Sequence, residues 1–411
     1  MTTQILLGNG YGLALATDSA VTVGGRRTYE TSEKMILLGE GHPVAVLVSG
    51  AVTQFSLPVQ VLVSEWAKTL RGGQLRKVVD YRENFMSWLR DNVHEFPEPE
   101  TRLIDSYWNA DNYLRGCWRD TSGSDEYTTI EEKTQATIEY LQYWIGEHES
   151  YRKVDRFADM GGTSHVERII GELWSAKSGS WVGLGERVDY WFDDVEPDRL
   201  PEVKALIRRL IVLRCSTWAL FESITTVIFA GFGAKEMVPA TAQVQLFGSY
   251  QDWVCSSSMD PQIAEKVGSG FWLLKTIGQD DYIMNILLGY RSELIESAAG
   301  ALADSGVVSA ANHGSGEDPS VNSANVKEEE TPFVVSERLW SAVEQGAEEK
   351  LLKPLRHAIA AMPLKSLADA ARSLVGVQAL GKAISAELQT TGGRIEVAII
   401  SRAEGVKILA E

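Results

Sequence analysis

The feature that most constrains this chain lies at its start. Two short segments rich in Leu, Ile and Ala, Gln4 to Gly8 and Gly12 to Asp18, flank Gly8-Asn9-Gly10-Tyr11-Gly12. Apolar runs broken by a Gly-Asn-Gly cluster signal a hairpin, because Gly and Asn reach the positive φ values that a tight turn between right-twisted strands requires. The chain therefore enters its fold as a sheet. A third strand is expected at Lys34 to Leu38 and a fourth at Val44 to Ser49. A helix should follow, with Pro58 in its first turn and Val59, Leu62, Val63, Trp66 and Leu70 at helical spacing.

The middle of the chain differs in character. Residues Val78 to Arg209 hold most of the tryptophans and many charges, with helical patterns at Ile130 to Ile145 and Val166 to Ser175. The tryptophans read as core or interface packing, and the stretch as an insertion. Strand signals return at Thr225 to Gly231 and Ala240 to Phe247, followed by a helical run from Asp281 to Leu302. Between Asp304 and Pro332 the composition shifts to Ser, Gly, Asn and Glu, as expected of a flexible linker. Helices at Ser336 to Ala361 and from Leu364 to Val377 or beyond lead into a closing hairpin, Arg394 to Ser401 and Val406 to Leu409. The organisation expected is an α+β core in pieces (1–77, 210–303 and 333–411), a helical insertion at 78–209 and a linker at 304–332.

Several function classes lose ground. A net charge of -17 over 411 residues, without clustered Lys and Arg, argues against nucleic acid or an anionic membrane as partner. Cys117, Cys215 and Cys255 form no CxxC pair, so neither a disulfide framework nor a metal site is indicated, and a reducing, cytoplasmic setting fits. No apolar run reaches the roughly 18 residues that span a bilayer. The scattered histidines form no HExxH, and no serine sits in a GxSxG elbow. Gly231-Phe232-Gly233 and Gly268-Ser269-Gly270 complete no phosphate-binding loop, so no cofactor is implied.

What remains is chemistry at the first residues. A threonine hydroxyl is a weak nucleophile unless a base sits beside it, and the residue's own α-amino group, of pKa about 8, can serve. This requires threonine at the mature N-terminus. Thr2 follows Met1 and is small, the setting in which the initiator methionine is expected to be removed. Proton transfer is helped by a nearby cation held by an acid. Asp18 ends the second strand and Lys34 begins the third, so adjacency of the first three strands would bring both to Thr2.

The order of these residues resembles that of the proteasome β-subunit and the related bacterial peptidase that works with an unfoldase ATPase. The likeness rests on Thr2-Thr3, Leu13 to Ser19, Val21-Thr22, Lys34 to Leu38 and Ser49-Gly50, and at the other end on Thr391 to Ser401. The resemblance implies a four-layer αββα sandwich of the N-terminal-nucleophile hydrolase type. Thr2 would be the nucleophile, Asp18 and Lys34 the acid and base, and Gly50 the oxyanion-hole amide. Thr22 and Ser49 would lie along an extended substrate, and Thr391 would support the Thr2 amine. It also implies a peptide or unfolded-protein substrate, a homo-oligomer and an unfoldase ATPase partner.

The family's acidic residue ahead of its supporting serine falls on Leu388, beside Glu387, and its other supporting serine has only Ser269 and Gln279 as candidates. Leu388 keeps a second reading open, a ring or scaffold subunit with little turnover, and an amidase of small molecules is a third. The insertion, following the first helix, is expected to lie away from Thr2, Asp18 and Lys34 and to serve self-association or substrate access.

Overall fold

The computed structural model describes residues 2–23, 27–29, 34–39, 41–51, 53–55, 57–70, 73–96, 110–121, 123, 126–151, 162–175, 182–216, 224–250, 253–290, 295, 297, 341–385 and 391–409. The expected linker at 304–332 lies outside them, as do Glu387 and Leu388. The fold is mixed helix and sheet, α+β.

The expected hairpin forms. Strands β1 (Thr3–Asn9) and β2 (Gly12–Asp18) pair antiparallel, with Gln4 opposite Thr17 and Leu6 opposite Leu15. Both strands are buried along their whole length, which explains their continuous apolar runs. Two short hairpins, β3 (Val21–Val23) with β4 (Arg27–Tyr29) and β7 (Thr53–Gln54) with β8 (Leu57–Pro58), flank β5 (Met35–Leu37) and β6 (Val44–Gly50). Helices α1 (Val59–Ala67) and α2 (Val78–Asn92) follow. After the middle helices the chain returns as β9 (Thr225–Gly231), β10 (Ala240–Tyr250), β11 (Trp253–Ser258), β12 (Gln262–Ile263), β13 (Glu265–Val267) and β14 (Gly270–Gly278). It ends in β15 (Ile395–Ser401) and β16 (Gly405–Leu409).

These strands form two six-stranded systems. The first has the order β13-β14-β1-β2-β15-β16, and the second β11-β10-β9-β6-β5 with β12 on β10. Strand β5 therefore belongs to the second sheet and does not join β1 and β2, which corrects the adjacency expected from the sequence. Strand β14, which the sequence reading did not anticipate, fills the other side of β1 from Thr3 opposite Gly278 to Asn9 opposite Trp272.

Strand periodicity sorts the side chains into three cores. Leu6, Leu13, Leu15, Ala398 and Ile400 of the first sheet meet Ala45, Leu47, Ile228 and Ala230 of the second. The first sheet's other face, with Ile5, Leu7, Ala14 and Ala16, packs on α8 (Asp281–Leu288), α9 (Lys353–Ala361) and α10 (Leu364–Ile384) through Ile283, Ile359, Leu367 and Val375. The second sheet's other face packs on α1 and α2. There Trp66 meets Phe85 and Phe229 with ring centroids 5.3 and 5.5 Å apart. Removing such a ring costs about 3–5 kcal/mol.

A fourth core is purely helical. Helix α3 (110–119), together with α4 (Ile130–Tyr151), α5 (Gly162–Ser175), α6 (Leu184–Trp191) and α7 (Leu200–Ser216), encloses Leu114, Ile138, Leu141, Leu173, Val188 and Leu210. Arg187 clamps Asp111 across this unit with contacts of 2.7 and 2.9 Å. Helix α2 stands apart from it, because Val78, Tyr81, Phe85 and Leu89 all face the second sheet.

Candidate active site

Asp18 ends β2 and is completely buried, so its carboxylate needs donors from the protein. Three supply them. The Thr3 backbone N–H donates to Oδ1 at 2.9 Å, Lys34 Nζ to the same oxygen at 2.8 Å, and the Gly392 N–H to Oδ2 at 3.2 Å. One carboxylate thus ties the residue after Thr2, the candidate base, and the residue after Thr391.

Lys34 is also buried, 2% exposed, and its backbone carbonyl accepts the Val48 N–H at 2.9 Å. Burial strips water from its ammonium and holds the pKa below the ordinary lysine value; Asp18, and after it Glu396, push the other way. The ion pair spans the gap between the sheets, since Asp18 ends a strand of the first and Lys34 precedes β5 of the second. Gln4 bridges the same gap, donating from Nε2 to the Val48 carbonyl at 3.0 Å.

Thr2 is 5% exposed and precedes β1. Its carbonyl accepts the Gln279 N–H at 2.8 Å. Gly278, at φ +80, lies so close that a Cβ there would stand 1.9 Å from the Thr2 carbonyl oxygen and 3.2 Å from Ser49 Oγ. The end of β6 therefore abuts the start of β1, and Ser49 is itself buried. Gly50 ends β6 at φ +89, opposite Thr225, and a Cβ there would meet the Ile224 carbonyl at 2.0 Å.

Thr391 is 1% exposed, and among the described residues its Oγ1 has no hydrogen-bond partner. It stands one residue before the amide that contacts Asp18. Thr22 lies on β3 opposite Thr28, and among the described residues β3 pairs with β4 alone. Of the two candidates for a second supporting residue, Gln279 reaches Thr2 through its backbone. Ser269 precedes β14 at the end opposite Gly278, nine strand residues away, or about 30 Å at a rise of ~3.3 Å per residue.

The segment that follows the helical unit links it to the end of β6. Ile224 packs on the helical core, and its carbonyl accepts the Ala51 N–H at 3.0 Å while touching Gly50. Strand β9 then runs beside β6, with Thr225 opposite Gly50. Gln4, Gly278 and Ile224 escaped the sequence reading. None carries a motif, and each matters through a contact with a distant segment.

Among the described residues no group of three or more His, Cys, Asp or Glu could hold a metal ion, and no helix is long and apolar enough to cross a membrane. No family model matches the chain, and no curated protein does. Among solved structures the chain is similar to an Anbu (Gly-1) mutant from Hyphomicrobium sp. strain MC1. That alignment has 11% identity and a TM-score of 0.31, and covers 100% of this chain and 88% of the other. A second similar structure is Anbu (ancestral beta-subunit) from Yersinia bercovieri, with 10% identity, a TM-score of 0.30, and coverage of 100% and 87%. These findings correct the likeness read from the sequence. With no family model matching and the structures found bearing the name Anbu, the proteasome β-subunit and its bacterial peptidase relative do not stand as this chain's family.

Proposed function

We propose that this chain hydrolyses an amide bond through Thr2, whose amine and hydroxyl become the nucleophilic pair once Met1 is removed. The observation that carries this reading is the Asp18 carboxylate, which binds the Thr3 amide, the Lys34 ammonium and the Gly392 amide at once. A buried acid that fixes a buried cation near the start of β1 supplies what the Thr2 nucleophile lacks, a positive charge that lowers the pKa of the amine that takes its proton.

In this mechanism Thr2 Oγ1 attacks the substrate carbonyl carbon and its proton passes to the Thr2 amine. Lys34, held by Asp18, provides positive charge that keeps the amine partly neutral. The Gly50 N–H stabilises the oxyanion. Collapse breaks the C–N bond, and the proton goes to the leaving amine. The resulting ester on Thr2 is cleaved by water, returning the hydroxyl. The buried Thr391 hydroxyl, without a partner among the described residues, is suited to hold the amine. The second edge of β3 is suited to an extended peptide, so a peptide or unfolded-protein segment is the substrate favoured.

The three sheet cores support a four-layer αββα arrangement, with α8, α9 and α10 on one side and α1 and α2 on the other. The test joins N-terminal sequencing with a threonine-directed covalent probe. The expected result is Thr2 at the N-terminus, one probe per chain, and no labelling of Thr2→Ala. Retention of Met1 on nearly all molecules, or hydrolysis persisting in Thr2→Ala, overturns it.

A further inference from the structure

The first sheet carries a polar row immediately inward of the site. Gln4 pairs with Thr17, and Thr17 pairs with Glu396, so the three stand side by side across β1, β2 and β15. The next row of the same face is Leu6, Leu15 and Ala398, which belong to the core between the sheets. By strand alternation Glu396 is on that inter-sheet face, with Ala398 and Ile400 two and four residues on. Gln4, in the same row, already reaches across to Val48, whose N–H binds the Lys34 carbonyl.

We propose that Glu396 is a positioning residue of this site, a second acid that faces Lys34 across the gap and shares with Asp18 the task of holding its ammonium. This rests on the hydrolase reading for its consequence, although the charge relationship stands without it. Glu396 is half-buried and lines a cavity of about 450 Å³ together with Met35, Ile36, Gln60, Ser64 and Arg394. Its half-buried position leaves it a solvent access that the fully buried Asp18 lacks. Its negative charge raises the Lys34 pKa, opposing burial.

Among the described residues the charged groups that act on Lys34 are Asp18 from β2 and Glu396 from β15, while Arg394, just before β15, lines the same cavity as Glu396. Helix α1 brings only Gln60 and Ser64 to the cavity. Lys407 of β16, paired with Ile399, is on the other face of the sheet.

Removing the Glu396 charge should make Lys34 easier to deprotonate. In the full chain carrying Thr2→Ala, with labelled lysine and Lys34→Arg to identify the signal, NMR titration should show a Lys34 midpoint lower by about 0.5–1 unit in Glu396→Gln. Glu396→Asp should restore it to within a few tenths. In the Thr2-containing chain, the pH profile of probe labelling should move to lower pH by the same interval in Glu396→Gln. An unchanged Lys34 midpoint in a folded Glu396→Gln protein overturns the proposal. So does an equal shift in Glu396→Asp, which would mark a packing effect. A midpoint that moves while no chain reacts with the probe supports the role of Glu396 and sinks the hydrolase.

Discussion

Lys34 Nζ lies 2.8 Å from Asp18 Oδ1, although the two residues belong to different sheets and both are almost wholly buried. The pair therefore links the end of β2 to the residue before β5, and in the proposed mechanism it also sets the charge beside Thr2.

Breaking one half of such a pair strands the other. Asp18→Asn should lower stability by about 3–5 kcal/mol, while Asp18→Asn with Lys34→Met should recover much of that, because a buried ion pair and a well-packed apolar substitute are often close in energy. Activity should fall at least about 100-fold in both and should not recover in the double variant. Urea denaturation read beside single-turnover kinetics separates the two effects, and additive stability losses would show that the residues act independently.

The Lys34 pKa is lowered on folding, and the sign of its linkage follows. Between the lowered folded value and the ordinary 10.5 the unfolded chain binds more protons than the folded one, so stability rises with pH across that window. Below the window the full burial penalty applies. Wild type should gain on Lys34→Met as pH increases from neutral toward 10.5, measured as the difference in urea midpoints. A flat or falling difference contradicts the depressed value.

Gly278→Ala should disable the site from outside the catalytic set. The residue is at φ +80, and the new methyl would stand 1.9 Å from the Thr2 carbonyl oxygen that accepts the Gln279 N–H. Expected are a loss of about 1–3 kcal/mol and near-complete loss of probe labelling. Gly39→Ala, with nothing within 4 Å, is the matched control and should behave as wild type. Normal labelling of Gly278→Ala would mean that Thr2 tolerates displacement.

Ile224 joins the helical core to the Gly50 end of β6. Truncating it to Ala should cost about 1–2 kcal/mol, since the side chain is partly buried. Labelling should also slow several-fold, because the Ala51 N–H depends on the Ile224 carbonyl at 3.0 Å. Thermal unfolding and labelling rates should both respond. A change in stability with unchanged labelling would confine Ile224 to packing.

The elements legible in the sequence were those set by neighbours along the chain. The β1–β2 hairpin follows from Gly8 to Gly12, helix α1 from the spacing of Val59, Leu62, Val63 and Trp66, and the closing hairpin from Ala403-Glu404-Gly405. Local turn chemistry and helical periodicity act within a few residues, so a linear reading captures them. Thr2, Asp18 and Lys34 were also legible as candidates, since they stand at the start, at a strand end and at a strand beginning.

Their assembly was decided elsewhere. Thr3 Oγ1 donates to the Gln279 carbonyl, 276 residues away, at 2.8 Å. Strand β14 lies against β1 by a register that no local pattern encodes, because β1 and β2 are buried on both faces and show no alternation to pair against. The same holds for β5, which joins the second sheet and so brings Lys34 to Asp18 across a gap instead of along a ladder. Sequence alone singled out the residues proposed for the chemistry. Only the packing of two sheets, driven by burial of Leu6, Leu15, Leu47 and Ile228 between them, decided that Asp18 binds Lys34 and the Thr3 amide and that Gly278 lies against the Thr2 carbonyl.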